Sequence, residues 1–277
     1  MSTPSPSRPL ATTTVLRRHP IAAYFVITFT VSWAGALAVA APGLIRGAGI
    51  SKLTGIVMFP AMLLGPLASG ILMSRVLGAR EGTRDLFRRI RRWRVGLGWY
   101  LALLIPPGTV LLVLFLLERL VSRSFRPNQF WMGIAFGVPA GICEEIGWTG
   151  FAFPQMRAQQ SALGAAVCLG ILWSMWHLPV INFLGAAIPH RQYWFVFFLG
   201  FMLTMAAMRV LIAWIYSNTN SVLLAQLMHI SSTGALVVFS PPVTPAREAM
   251  WYALYGGVLW LIVGVVVAAT GRELRRV

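Results

Sequence analysis

The chain has 277 residues, of which 57% are hydrophobic and only 11% charged, with a mean hydropathy of +0.73. That composition excludes a soluble enzyme and describes an all-α, polytopic membrane helix bundle. A net charge of +16 would suggest a nucleic-acid partner in a soluble chain, but 22 of the 23 basic residues are Arg and most sit on one set of loops, so no nucleic acid is read.

Residues 1 to 20 are rich in Pro, Ser and Thr and carry Arg8, Arg17 and Arg18, which predicts a disordered leader ahead of the bundle. Residues 21 to 277 then read as a single bundle of about eight apolar segments, at 21 to 41, 55 to 77, 97 to 117, 131 to 153, 162 to 185, 194 to 216, 219 to 239 and 250 to 270. Ala38-Val39-Ala40 resembles a signal-peptidase site, yet the apolar stretch before it exceeds a signal core and reads as a retained span. With an even number of spans both termini share one side, and that side holds 15 of the 23 basic residues against 7 opposite. The excess predicts a cell-membrane protein with both termini in the cytoplasm.

Between the second and third segments, Leu86, Ile90, Trp93 and Leu97 recur at helical spacing with five arginines from Arg88 to Arg94 between them. This predicts either a helix over 83 to 97 on the anionic membrane surface or a basic loop that sets topology. Cys143 and Cys168 both fall inside spans and read as small packing residues. The many glycines suit close helix packing.

The seven acidic residues are unevenly placed. Five lie in loops or at segment ends, but Glu144 and Glu145 are embedded in the apolar run from Trp131 to Phe153. A carboxylate at membrane depth is costly unless paired, hydrated or protonated, so this pair marks a candidate site. His177 and His229 are also embedded, whereas His19 and His190 sit at segment edges. Successive helical residues point about 100° apart, so the two glutamates need different jobs. Glu144 shares a face with Gly147, Trp148 and Phe151, and Glu145 shares one with Trp148, Thr149 and Ala152.

A Glu and two His from three helices suit two chemistries, and the residue types do not choose between them. They could hold a divalent metal with a water, or supply a general base with two polarising imidazoles. No His-Glu-x-x-His helix, Gly-x-Ser-x-Gly elbow or paired intramembrane aspartate is present, which argues against a zincin, a serine or an aspartyl protease. A proton-relay transporter would predict internal repeats, and none is evident.

The run Glu144-Glu145-Ile-Gly-Trp-Thr-Gly-Phe-Ala-Phe-Pro, then Trp173-Ser-Met-Trp-His177-Leu-Pro, then Leu227-Met-His229-Ile-Ser resembles the CPBP (Abi) family in motif order and approximate spacing. That family comprises type II CAAX prenyl endopeptidases and bacteriocin-processing or immunity proteins. The resemblance implies a family core over about 131 to 239 and an intramembrane endopeptidase acting on an apolar or lipid-modified peptide or membrane protein. It also implies Glu144 as the base that activates water. Glu145 and Thr233 join it as site residues, and His177 and His229 bind a metal such as zinc, together with Glu144, or polarise the scissile carbonyl.

Two positions depart from the family pattern, Thr149 where Arg is expected and Thr233 where Asn is expected. They support the alternative of a non-catalytic binding or immunity protein. The missing arginine leaves Glu145 in need of a cation from elsewhere, and Arg209 is the one basic residue that falls inside a span. Two placements are open to it, beside the glutamate pair or snorkelling to the interface. If the three ionisable groups form one centre, they should surround a common polar cavity.

Overall fold

A computed structural model describes residues 11–47, 50–184 and 190–276. Twelve helices follow one another in these segments: α1 (Ala11–Arg18), α2 (Pro20–Ile45), α3 (Lys52–Ile90), α4 (Leu97–Leu101), α5 (Ile105–Leu120), α6 (Gly133–Gly147), α7 (Phe153–Arg157), α8 (Ala162–Trp176), α9 (Leu178–Leu184), α10 (Trp194–Thr219), α11 (Val222–Phe239) and α12 (Pro245–Thr270). Six helical stretches are long and apolar enough to cross a membrane, at Pro20–Ile45, Leu53–Ile90, Leu97–Leu120, Arg191–Thr219, Val222–Phe239 and Pro245–Thr270. The other two expected segments are those that carry the glutamates and His177, and neither is one regular α-helix throughout. The fold is therefore an all-α polytopic bundle.

These departures from a regular α-helix have local causes. Beyond α6 the chain continues without a break through one π-helical stretch, Trp148–Ala152, into α7, so the glutamate-bearing segment runs on to Arg157. Such widened turns interrupt the regular α-helical ladder and recur at functional sites. The expected fifth span, 162 to 185, is instead broken at His177, the C-cap of α8, with α9 starting at the next residue. Pro179 lacks an N–H and crowds the turn before it, which ends α8 where the imidazole sits.

Two other expectations are corrected. The basic helix predicted over 83 to 97 is the distal part of α3, which ends at Ile90. It follows a break at Ala79, whose backbone is left-handed (φ 50°, ψ −134°). Residues 92 to 96 have no regular secondary structure and end at Gly96, the N-cap of α4. The leader expected to be disordered forms α1 over Ala11–Arg18, because Leu16 finds a place against the core; its first ten residues lie outside the described segments.

Close approach of backbones brings the site helices together. On α6, Gly133, Gly137 and Gly141 recur every fourth residue against α11, where a Cβ at Gly137 would stand 2.9 Å from the Gly234 nitrogen. Gly147 meets α3, and a Cβ there would come within 2.3 Å of the Pro66 carbonyl oxygen. Gly170 on α8 likewise abuts Ala206 on α10, beside Arg209. Small residues let membrane helices reach van der Waals contact through their backbones. The polar side chains one turn away are consequently forced into one another's reach. On the outer faces, large apolar residues such as Leu261 and Val265 stay exposed, as lipid-facing positions require.

Candidate functional site

Glu144 and Glu145 occupy the last turn of α6 and both are 0% exposed. Helical geometry sends them apart, and each meets a different set of partners. Glu145 is saturated. The Arg209 guanidinium from α10 grips it bidentately, with Nη1 donating to Oε2 at 2.8 Å and Nη2 to Oε1 at 2.9 Å. The Thr149 hydroxyl donates to Oε2 from one turn along the same helix. Nδ1 of His229, on α11, donates to Oε1 at 2.7 Å. A carboxylate only accepts, so the proton of that contact is on Nδ1, which leaves Nε2 with the lone pair in the neutral ring.

Arg209 is itself fully buried. It is the arginine that the sequence left between two placements, and it lies beside the pair. The family pattern would have a cation at position 149, on the same helix as the glutamate; here the cation comes from another helix and Thr149 contributes a hydroxyl. An ion pair removed from water holds only when its geometry is good and its remaining donors are used. Three hydrogen-bonding partners around one carboxylate meet most of that requirement, although Nε of Arg209 has no partner among the described residues.

Glu144 is held differently. Its Oε2 accepts the indole N–H of Trp148 at 3.0 Å and that of Trp173, on α8, at 2.6 Å. Its Oε1 is buried with no partner among the described residues. A buried carboxylate oxygen without a donor is an uncommon arrangement and a natural seat for a water or a substrate proton.

Trp173 is the hub that sequence reasoning missed. Its N–H serves Glu144, and its carbonyl accepts Nδ1–H of His177 at 2.8 Å. Its ring lies edge-to-face against both imidazoles, with centroids 5.5 Å from His177 and 5.0 Å from His229. The Arg209 guanidinium stands 4.3 Å over the same ring. Glu144, His177, His229 and the Glu145–Arg209 pair thus surround one indole. The signal available in the sequence was the position of Trp173 in the His177 motif, four residues before the histidine.

His177 is only partly buried, and neither imidazole Nε2 makes a hydrogen bond to a described residue. Thr233 is half-buried on α11, one turn beyond His229, and makes no side-chain hydrogen bond among the described residues. The structure therefore brings together four of the five sequence-predicted site residues and leaves Thr233 at the margin.

A metal at this centre would have to use Oε1 of Glu144 and Nε2 of His177 and His229, the atoms without a partner among the described residues. Among the described residues, no three His, Cys, Asp or Glu side chains gather closely enough to hold an ion. Glu145 and the Nδ1 atom of His229 are committed to each other, Oε2 of Glu144 carries two indole donors, and Arg209 already supplies a positive charge against Trp173. A second cation would meet repulsion at short range in a medium of low dielectric.

Residues 126–235 match the family model described as "Type II CAAX prenyl endopeptidase Rce1-like". The chain is also 27% identical over 220 residues to "CAAX prenyl protease 2" of Methanococcus maripaludis, an alignment spanning 74% of this chain and 78% of that protein. The matched stretch contains the glutamate pair, Trp173 to Pro179 and His229, which are the motifs that converge in space. In sequence, the chain is thus similar to type II CAAX prenyl endopeptidase-like membrane proteins over the stretch that carries these motifs.

Proposed function

We propose that this protein is an intramembrane endopeptidase in which Glu144 activates water for attack on a peptide bond of an apolar or lipid-modified substrate. The observation that carries the reading is the asymmetry of Glu144, with Oε2 clamped by two indole N–H groups and Oε1 buried without a partner. The clamp fixes the carboxylate through Oε2, while Oε1 is left to accept a proton.

In this reading a water on Oε1 gives its proton to Glu144 as its oxygen attacks the scissile carbonyl. Glu144 then returns that proton to the departing amine. His177 and His229 are each held through Nδ1, which leaves the Nε2 lone pair of each neutral ring to accept a hydrogen bond from the attacking water. Glu145 and Arg209 act through His229 by holding its ring and tautomer, as a carboxylate partner does for a histidine elsewhere. The partner class is a peptide or membrane protein reached from the bilayer, and the arginine excess supports a topology with both termini in the cytoplasm. The relative named for CAAX prenyl proteolysis makes a prenylated C-terminal peptide the first substrate to try.

The alternative, a non-catalytic binding or immunity protein, rests on Thr149 and Thr233. Arg209 weakens the first support, since it returns the cation that position 149 lacks. The second stands on residue type, because position 233 offers a short hydroxyl where the family pattern has a longer amide donor.

The test uses the purified full chain in detergent with prenylated and unprenylated C-terminal peptides, and products are identified by mass spectrometry. Cleavage by the native protein, lost in Glu144→Gln with the melting temperature retained, is the expected result. Product formed equally by Glu144→Gln, His177→Ala, His229→Ala and the native chain would overturn the enzyme reading.

A further inference from the structure

On the distal part of α3, Arg80, Arg84, Arg88 and Arg91 follow one another at steps of four, four and three residues, which places four guanidinium groups along one helix face. They line an open groove of about 660 Å³, together with Arg75, Thr83 and Phe87. A second groove of about 360 Å³ continues it past Arg92, Trp93 and Arg94. Like charges one turn apart repel, so such a stripe calls for counter-anions. The segment supplies only two acids, with Glu81 paired to Arg84 and Asp85 shared between Arg88 and Arg89. Arg80 and Arg91 have no acidic partner among the described residues.

The face is apolar as well as basic. Phe87 is 41% exposed and Trp93 59% exposed beside the arginines. The stripe begins just beyond the break at Ala79, in a helix whose preceding part is apolar enough to span a bilayer. That sequence of features sets the guanidinium groups at headgroup depth, with aromatic rings able to enter the acyl boundary.

The opposite face is anchored. Leu86 is fully buried and packs where a Cβ at Gly150 would come within 2.6 Å of its Cδ1. Arg89 donates to the Tyr216 hydroxyl at 2.7 Å and to the Gly150 carbonyl at 2.9 Å. Arg89 is therefore committed inward, and its neighbours on the stripe are presented on a fixed surface.

The geometry points to a binding site for anionic phospholipid headgroups along Arg80, Arg84, Arg88 and Arg91. Guanidinium groups engage phosphodiester oxygens two at a time, and a row of them spaced by helical turns fits adjacent headgroups better than a single small anion. This site lies outside the Glu144 centre, and its occupancy is independent of whether the chain cleaves peptides.

The test is the melting temperature of the full chain in a neutral detergent, read from tryptophan fluorescence. Short-chain phosphatidylglycerol, short-chain phosphatidylcholine, inorganic phosphate and a short oligonucleotide are added in separate arms at matched phosphate. Phosphatidylglycerol is expected to raise the midpoint by about 3 °C or more, with no rise in the other arms. Arg80→Gln/Arg84→Gln/Arg91→Gln should melt like the native chain in phosphatidylcholine and lose the rise. If that variant fails to fold, the Lys triple at the same positions, which keeps the charge, should keep a preference for phosphatidylglycerol over phosphatidylcholine. Equal rises with both lipids, equal stabilisation by phosphate or oligonucleotide, an undiminished rise in the folded Gln variant, or no preference in the Lys variant would each overturn the assignment.

Discussion

Two sides of one helix turn divide the labour of this site. On the side facing α10 and α11, Glu145 is bound by Arg209, His229 and Thr149 and has no free oxygen. On the side facing α8, Glu144 is bound through one oxygen by two indole N–H groups, while its other oxygen has no partner among the described residues. Both carboxylates are equally buried and adjacent in sequence, so burial does not distinguish them; the donors do. A saturated buried charge holds helices in register, whereas an unsaturated one keeps a reactive position open.

Breaking the saturated side should give the largest loss of stability. Arg209→Gln leaves Glu145 buried without its cation and is expected to cost about 3–5 kcal/mol, seen as a lowered melting temperature in detergent. Combined with Glu145→Gln, it should cost much less than the sum of the two single changes, since no charge is then left unpaired. Additive losses would mean that the pair does not act as a unit.

Trp173→Phe sharpens the other side. It keeps an aromatic ring under Arg209 and beside both imidazoles but removes the donor to Glu144. A hydrogen bond to a charged group contributes about 1.5–3 kcal/mol. If it serves the reaction, kcat should fall by roughly 10–100-fold with little change in KM. A fall confined to melting temperature would make Trp173 a packing residue only.

The smallest effect is expected at Thr149. Thr149→Val removes one neutral donor from a carboxylate that keeps its two charged or ring partners, so about 0.5–1.5 kcal/mol of stability should be lost. A loss as large as that of Arg209→Gln would put the hydroxyl, rather than the guanidinium, first among Glu145's partners.

What was readable in the sequence follows from distance along the chain. Thr149 as a partner for Glu145 follows from the helix repeat, whereas Trp148 lay on the faces of both glutamates and only the structure gives it to Glu144. Arg209 could be singled out because a lone intramembrane cation has few acids to meet, and it does meet Glu145. Trp173 could not, because an indole in an apolar run looks like any core aromatic until α8 is docked against α6. The break at His177 was hidden for a similar reason. Hydropathy runs smoothly through Pro179, and only the backbone constraint ends the helix there. On α3, periodicity carried the basic helix past Ile90, whereas the helix ends there and the chain has no regular structure over residues 92 to 96 before α4.

The most direct measurement sets the two glutamates against each other. Glu144→Gln and Glu145→Gln are purified in parallel, and each is assayed for peptide cleavage by mass spectrometry and for melting temperature in the same detergent. Glu144→Gln is expected to lose cleavage by about 10²–10⁴-fold while melting like the native chain. Glu145→Gln is expected to melt well below the native chain, because Arg209 is left buried without its partner. Full cleavage by Glu144→Gln, or equal destabilisation of the two variants, would contradict this division between a reactive and a structural carboxylate.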